Sequence, residues 1–120
     1  MTSAPHHATP GVVFHLDEGD PAKHESVLRN VANVLDALGD GTVVELVTHG
    51  PGLRAVLAGA PHETALRTLI ERGVQVDACA NTMRREHVGE DQLAAGVTIV
   101  PAGIVQLIHR QRDGWSYVRP

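Results

Sequence analysis

The sequence predicts an α/β fold of three layers, α/β/α, around a mostly parallel open sheet of about five strands. Three observations predict it. Short apolar runs alternate with longer amphipathic segments, the pattern of repeated strand–helix units. The runs at 11–16 and 42–47 are almost continuously apolar, as in strands buried on both faces. Glycines at 39, 73 and 114 stand where helical segments give way to the next strand.

The elements follow in order. GVVFHL (11–16) is short, apolar and β-branched, and reads as a strand. Asp20-Pro21 supplies an N-cap and a proline at the first helical position. Val27, Leu28, Val31, Val34, Leu35 and Leu38 then recur at helical spacing up to Gly39. TVVELV (42–47) is the second strand. His49-Gly50-Pro51-Gly52 is a loop at its end, and a short helix is expected over 53–57. PHETALRTLIER (61–72) predicts a clearer helix, with Leu66, Leu69 and Ile70 inward. The third strand spans 74–78 and places Cys79 at its carboxyl end. A polar connection follows, then one or two helical turns over 90–95 and a fourth strand over 97–100. A helix over 101–112 turns Ile104, Leu107 and Ile108 to one side. Gly114 ends it, and 115–118 is a short final strand. With helices on both faces of such a sheet, the architecture is flavodoxin- or Rossmann-like.

The 120 residues suit one domain, expected over 11–120, behind a mobile tail at 1–10 that carries His6-His7. The N-terminus lacks the basic start and apolar block of a secretory signal, and no apolar stretch is long enough to cross a membrane. The lone cysteine rules out an internal disulfide, which fits a cytoplasmic setting. A formal net charge of −4 argues against a nucleic-acid binder, and the pair Arg84-Arg85 is too short to reverse that. The aromatics are Phe14, Trp115 and Tyr117 alone, so the core is built from Val, Leu, Ile and Ala.

In open parallel sheets, ligands bind beyond the carboxyl ends of the strands. Those ends bring Asp17 and Glu18, then Thr48, His49 and Gly50, then Cys79, Asn81 and Thr82, and finally Pro101, Ala102 and Gly103. Cys79 is the one soft nucleophile. Successive backbone N–H groups at a strand-to-loop junction favour its thiolate. His49 supplies a proton acceptor, or else is a loop residue bonded to the backbone. Asn81 and Thr82 suit helix capping as well as anion binding. Asn30 lies beside the apolar stripe of the first helix. Eight histidines raise the question of zinc, but one cysteine with scattered His15, His24, His49, His62, His87 and His109 gives no structural zinc spacing, so no metal is expected. There is no G-x-G-x-x-G after the first strand, no G-x-x-x-x-G-K loop and no G-x-S-x-G elbow, and no cofactor is expected.

Taken together, these pieces resemble the DsrE/DsrF-like family, in its small stand-alone branch of intracellular sulfur-oxidation-type proteins. The matching segments run from residue 12 to 120: VVFHLD, KHESVLRNVAN, ELVTHG, GVQVDACANTM, VPAGI and QRDGWSYVRP. C-A-N-T combined with the terminal Q-x-x-G-W-x-Y is the most specific part. The resemblance implies a three-layer fold and a homo-oligomer, trimer or hexamer. It implies a protein that carries sulfur as a cysteine persulfide between donor and acceptor proteins, as a sulfurtransferase component. Cys79 matches the cysteine of this branch, Asn81 and Thr82 its following polar pair, and Asn30 and His49-Gly50 the recurrent residues of helix one and strand two. The sulfur-relay members set their cysteine in other surroundings, without this C-x-N-T context.

Three functions are therefore expected, in order. The first is sulfur relay through a persulfide on Cys79, supported by His49, Asn81, Thr82 and Asn30. The second is a small-ligand or anion-binding module at the strand ends, with Gly50, Gly103 and Ile104 in its wall and Cys79 as mere lining. The third is a thiol redox sensor.

Overall fold

The computed structural model describes residues 10–120; the expected tail, with His6-His7, lies outside these except for Pro10. The strands are β1 (Val12–Leu16), β2 (Val44–Thr48), β3 (Gln75–Cys79), β4 (Thr98–Val100) and β5 (Ser116–Val118), and the α-helices are α1 (Pro21–Leu38), α2 (Glu63–Glu71), α3 (Ala80–Glu86) and α4 (Gly103–Arg112). All four strand pairs are parallel, in the order β4-β3-β2-β1-β5. The strand order steps outward from β1 to β4, then returns to β5 on the far side of β1. The topological switch point thus falls between β1 and β5.

Alternation along the strands sorts side chains to two faces. Phe14 and Leu16 of β1, Val44 and Leu46 of β2, and Val76 and Ala78 of β3 join Val27, Leu28, Val31 and Leu35 of α1 and Leu66 and Leu69 of α2 in the main core. The opposite face is covered by α4, which packs on β1, β2, β3 and β5. Its apolar part is small: Val13, Val47 and Leu107, backed by Trp115. No helix among the described residues is long and apolar enough to cross a membrane.

Local chemistry accounts for the boundaries. Asp20 caps α1 by accepting the Ala22 N–H at 3.0 Å, and Gly39 ends it at φ 96°. The imidazole Nε2 of buried His24 bonds the Glu18 carbonyl (2.6 Å) and that of His62 bonds Pro21 (3.0 Å), so these two histidines tie loops to helices. Gly52 packs so tightly on the end of β1 that a Cβ there would collide with the Leu16 carbonyl.

Three expectations need correcting. The supposed polar connection after Cys79 is helix α3, with Cys79 itself at the N-cap position and Met83 buried beneath it. The short helix expected over 53–57 is a 3₁₀ segment, Gly50–Val56, begun by Pro51. The turns expected over 90–95 are a single 3₁₀ turn, Glu90–Gln92.

The α4-side face also holds a buried polar network. Glu45, 1% exposed, accepts bonds from Arg110 Nε (2.5 Å), Gln106 Nε2 (2.7 Å) and Gln75 Nε2 (3.2 Å). Arg110 lies over the Trp115 ring, 4.6 Å from its centroid. Asp77 is fully buried beside Glu45; its Oδ1 accepts from Gln75 (2.8 Å), and its Oδ2 accepts no hydrogen bond. Burial first, then the neighbouring Glu45, pushes Asp77 up to about 9. Glu45 is held below its usual range, because bonds from Asp77, Arg110 and Gln106 outweigh the effect of burial. One proton therefore sits on Asp77 and is donated to Glu45.

The linkage sign follows. Asp77 is raised in the fold, so its contribution is full below an unfolded value of 3.8 and is lost as pH rises through about 9. Asp77→Asn keeps the bond to Glu45 through its amide and carries no titrating proton. Between about pH 5 and 9, wild-type stability is expected to fall relative to Asp77→Asn, by at most about 1.4 kcal/mol per pH unit. Urea unfolding of both proteins across that range checks it; a constant difference between them would refute the shared proton.

Candidate functional site

Cys79 ends β3 and opens α3. The residue is 5% exposed and lines a pocket of about 200 Å³ whose wall includes His49, Asn81, Thr82, Arg85, Ala102, Gly103 and Ile104. Around the sulfur stand the backbone N–H groups of Gly103, Thr82 and Asn81 and the Thr82 hydroxyl, and the Cys79 side chain closes no capping bond to the first turn of α3. Burial pushes the thiol up, but these neighbouring donors, led by Gly103 N–H, together outweigh it and hold the thiol below its usual value. Donors from the starts of both α3 and α4 thus converge on one sulfur.

Thr82 connects two elements. Its Oγ1 accepts the Gly50 N–H at 2.9 Å, and both Thr82 and Cys79 line the pocket. The strand-two loop is thereby fixed to the first turn of α3 beside the thiol. Gly103 is required by close approach: a Cβ there would lie 3.0 Å from His49 Cβ and 3.5 Å from Cys79 Cβ. Ile104, 51% exposed, forms the outer rim.

A second cluster adjoins the pocket through His49. His15, near the end of β1, sets its Nε2 2.7 Å from His49 Nε2, with the two rings stacked at 4.8 Å between centroids. The other ring nitrogen of His15 lies 2.7 Å from the Tyr117 hydroxyl on β5. Asp17 Oδ2 is 3.9 Å from His15 Nε2, and Asp17 Oδ1 accepts from Arg119 at 3.2 Å. Both imidazoles are held below the ordinary histidine value. Burial is the main cause for each; His15 is lowered further by His49, while Asp17 opposes the shift in both. The rings are therefore neutral at neutral pH and share one proton between the facing nitrogens.

The residues singled out in the sequence divide accordingly. Cys79, His49, Asn81, Thr82, Gly103 and Ile104 share the pocket wall, and Gly50 supports it through Thr82. Asn81 is exposed and its side-chain oxygen accepts from Arg84, so it offers the sulfur its backbone N–H and not its amide. Neither Asn81 nor Thr82 caps a helix by its side chain. Asn30 is not brought to this site. It lines a separate groove between α1 and β5, with Phe14, Val34 and Val118, because its turn of α1 lies over the main core and not over the α4 face.

Arg85, His15 and Tyr117 were not singled out as site residues. Arg85 reaches the pocket because α3 exists; read as a polar connection, the segment gave its side chain no direction. His15 and Tyr117 are paired by the β1–β5 register, in which Val13 lies opposite Tyr117. The histidines are also less scattered than their spacing suggests, since residues 15 and 49 lie at the ends of adjacent strands.

Comparison with known proteins bears on both fold and family. A protein of unknown function, MTH1491 from Methanobacterium thermoautotrophicum, superposes with a TM-score of 0.88 at 31% identity, over 93% of this chain and 100% of that one. The ychN protein of E. coli (TM-score 0.76, 16% identity, 93% and 100% covered) and BT1422 of Bacteroides thetaiotaomicron, also of unknown function (0.76, 12%, 92% and 94%), share the fold. No curated protein matches. The family model described as DsrE/DsrF-like matches residues 11–120. With nearly the whole chain matched, and with the parallel sheet in place, this protein belongs to the DsrE/DsrF-like family.

Proposed function

We propose that the protein is a sulfur carrier that holds sulfane sulfur as a persulfide on Cys79. The observation that carries this reading is the pocket that Cys79 lines with the starts of α3 and α4, whose N–H groups and Thr82 hydroxyl hold the thiol below its usual value. Such a setting favours a thiolate, which is the reactive form. Family membership supports the same reading.

In the loading step, the Cys79 thiolate attacks the outer sulfur of a donor persulfide, R–S–SH. A new sulfur–sulfur bond forms on Cys79, the donor's bond breaks, and R–S⁻ leaves as thiolate. The proton stays on the transferred sulfur. In the unloading step, a partner's thiolate attacks that outer sulfur and Cys79 departs as thiolate, onto the same N–H groups that stabilised it before. A lowered thiol value makes Cys79 a good leaving group, which suits a carrier more than a terminal acceptor. The chain has no second cysteine, so sulfur passes to another molecule. Arg85 at the pocket wall adds positive charge where an anionic donor enters. A cytoplasmic setting fits this chemistry. So does association of copies through the outer face of α4, where Ile104, Val105 and Ile108 are exposed.

The test is the intact mass of reduced protein after incubation with a polysulfide donor, beside Cys79→Ser. The expected result is a gain of one sulfur atom per chain, removed by reductant and absent from the variant. No gain in the wild type, with a thiol also inert to alkylation, would overturn the carrier reading. The pocket would then be an anion site that Cys79 merely lines, and Cys79→Ser would bind the anion as the wild type does.

A further inference from the structure

We infer a transition-metal site built from His15 Nε2, His49 Nε2 and Asp17 at the carboxyl ends of β1 and β2, suited to Zn²⁺ or another borderline divalent cation. Among the described residues, one ligand atom from each of the three lies within 4.8 Å of the others. The site does not depend on the sulfur reading, because Cys79 is not one of its ligands.

The donor chemistry points to such a cation. Two imidazole nitrogens and one carboxylate oxygen are ligands that Zn²⁺ and open-site Fe²⁺ accept, whereas Mg²⁺ and Ca²⁺ prefer all-oxygen sets. The distances are close to what coordination needs. Ligand atoms on a tetrahedral zinc stand about 3.3 Å apart, given bonds of about 2.0–2.1 Å. The two nitrogens are at 2.7 Å and the His15–Asp17 pair at 3.9 Å. The first must open and the second close by about half an ångström each, and the Asp17–His49 pair, within 4.8 Å, must close by up to about 1.5 Å, a movement of the half-buried Asp17 side chain toward the two imidazoles. His49 then carries its proton on Nδ1, and both facing lone pairs are free for the metal.

The outer partners are already placed. Tyr117 stands at Nδ1 of His15, and when its oxygen accepts the Nδ1 proton, Nε2 is the unprotonated nitrogen; Arg119 holds Asp17 Oδ1, which leaves Oδ2 toward His15. Partners of this kind orient ligands and fix tautomers in metal sites. Position agrees as well. His15, Asp17, Tyr117 and Arg119 all come from β1, β5 and the residues just after them, at the switch point of the sheet, where open α/β folds place ligands. Three protein ligands leave a coordination position for water or an anion, and His49 also walls the Cys79 pocket.

The alternative is a hydrogen-bonded imidazole pair that binds no metal. To separate the two, Zn²⁺ is titrated calorimetrically into the full chain at about pH 7, where the ligands are deprotonated. The chain carries His6→Ala and His7→Ala, so that the terminal pair does not compete. One Zn²⁺ per chain is expected, with a Tm that rises on binding. Asp17→Asn and His49→Gln should each weaken binding by about 100-fold or more, and Tyr117→Phe by about tenfold, the range for an outer partner. Asp17 is half-buried and Tyr117 exposed, so these two variants report even if His49→Gln folds poorly. Cys79→Ser should bind as the parent does, and the Co²⁺-loaded parent should show no thiolate charge-transfer band. Absence of saturable binding, binding indifferent to Asp17→Asn and Tyr117→Phe, or binding lost with Cys79→Ser would each overturn the site. Failure of sulfur loading would leave these results unaltered, so the two readings fail separately.

Discussion

Glu45→Ala is expected to lower the free energy of unfolding by about 3–5 kcal/mol, the usual result of removing one partner from a buried ion pair. Glu45 is 1% exposed and serves Arg110, Gln106, Gln75 and the Asp77 proton at once. Without it, the Asp77 carboxyl and the Gln75 amide lose acceptors in a face with little other cohesion. Only Val13, Val47 and Leu107 form an apolar cluster there. Against a total of about 5–15 kcal/mol for a small domain, the loss is large. Glu45→Gln, which retains an acceptor for Gln106, should cost about 1–2 kcal/mol. Denaturant midpoints with an unchanged slope would report both. A loss below about 1 kcal/mol for the alanine variant would mean that α4 is held by its apolar contacts and not by this network.

The network also reaches the thiol. Gln106 and Arg110 anchor α4 to β2, and the first residue of α4 is Gly103, whose N–H leads the donors on Cys79. A polar cluster in mid-sheet thereby sets the position of a donor at the sheet edge. It places the energetics of the fold and the chemistry of the site on one helix.

Much of this was legible in the sequence where a local rule applied. Asp20-Pro21 and Gly39 bracketed α1 because capping depends on neighbouring residues alone. The continuous apolar runs at 11–16 and 42–47 located β1 and β2 because burial on both faces leaves no alternation to misread. Cys79, His49 and Gly103 could be placed on one edge because strand ends converge by topology. What was hidden depends on tertiary pairing. Helix α3 has seven residues, and Asn81-Thr82 at its start resembles a turn; it is held by packing of Met83 and by the Thr82–Gly50 bond, not by propensity. The pairing of His15 with Tyr117 spans 102 residues and follows only from β5 lying beside β1. Asn30 failed for a related reason. A helical wheel gives a residue's face but not the layer its helix occupies, and α1 lies on the side away from the thiol.

Thr82→Val is expected to raise the pH at which Cys79 becomes reactive. The Thr82 hydroxyl is one of the neighbouring donors that hold the thiol below its usual value. Valine keeps the shape and removes the donor. The remaining N–H groups of Gly103, Thr82 and Asn81 still face the sulfur, so the thiol should move toward its ordinary value and not above it. Below the inflection the thiolate fraction falls with the shift, while each remaining thiolate becomes more nucleophilic, with a Brønsted slope of about 0.4–0.5. Alkylation therefore slows by less than the thiolate fraction falls, and sulfur loading should slow in parallel if both steps begin with the thiolate. Thr82→Ser restores the donor and should restore the profile. Valine also leaves the Gly50 N–H without its acceptor, so a modest drop in Tm accompanies the change. That drop alone does not move an inflection on a pH axis, which is why the profile of rate against pH, and not a single rate, is the decisive measurement. An inflection that stays in place with valine, or one that serine fails to restore, would show that the backbone N–H groups of the two helix starts set the thiol without help from Thr82.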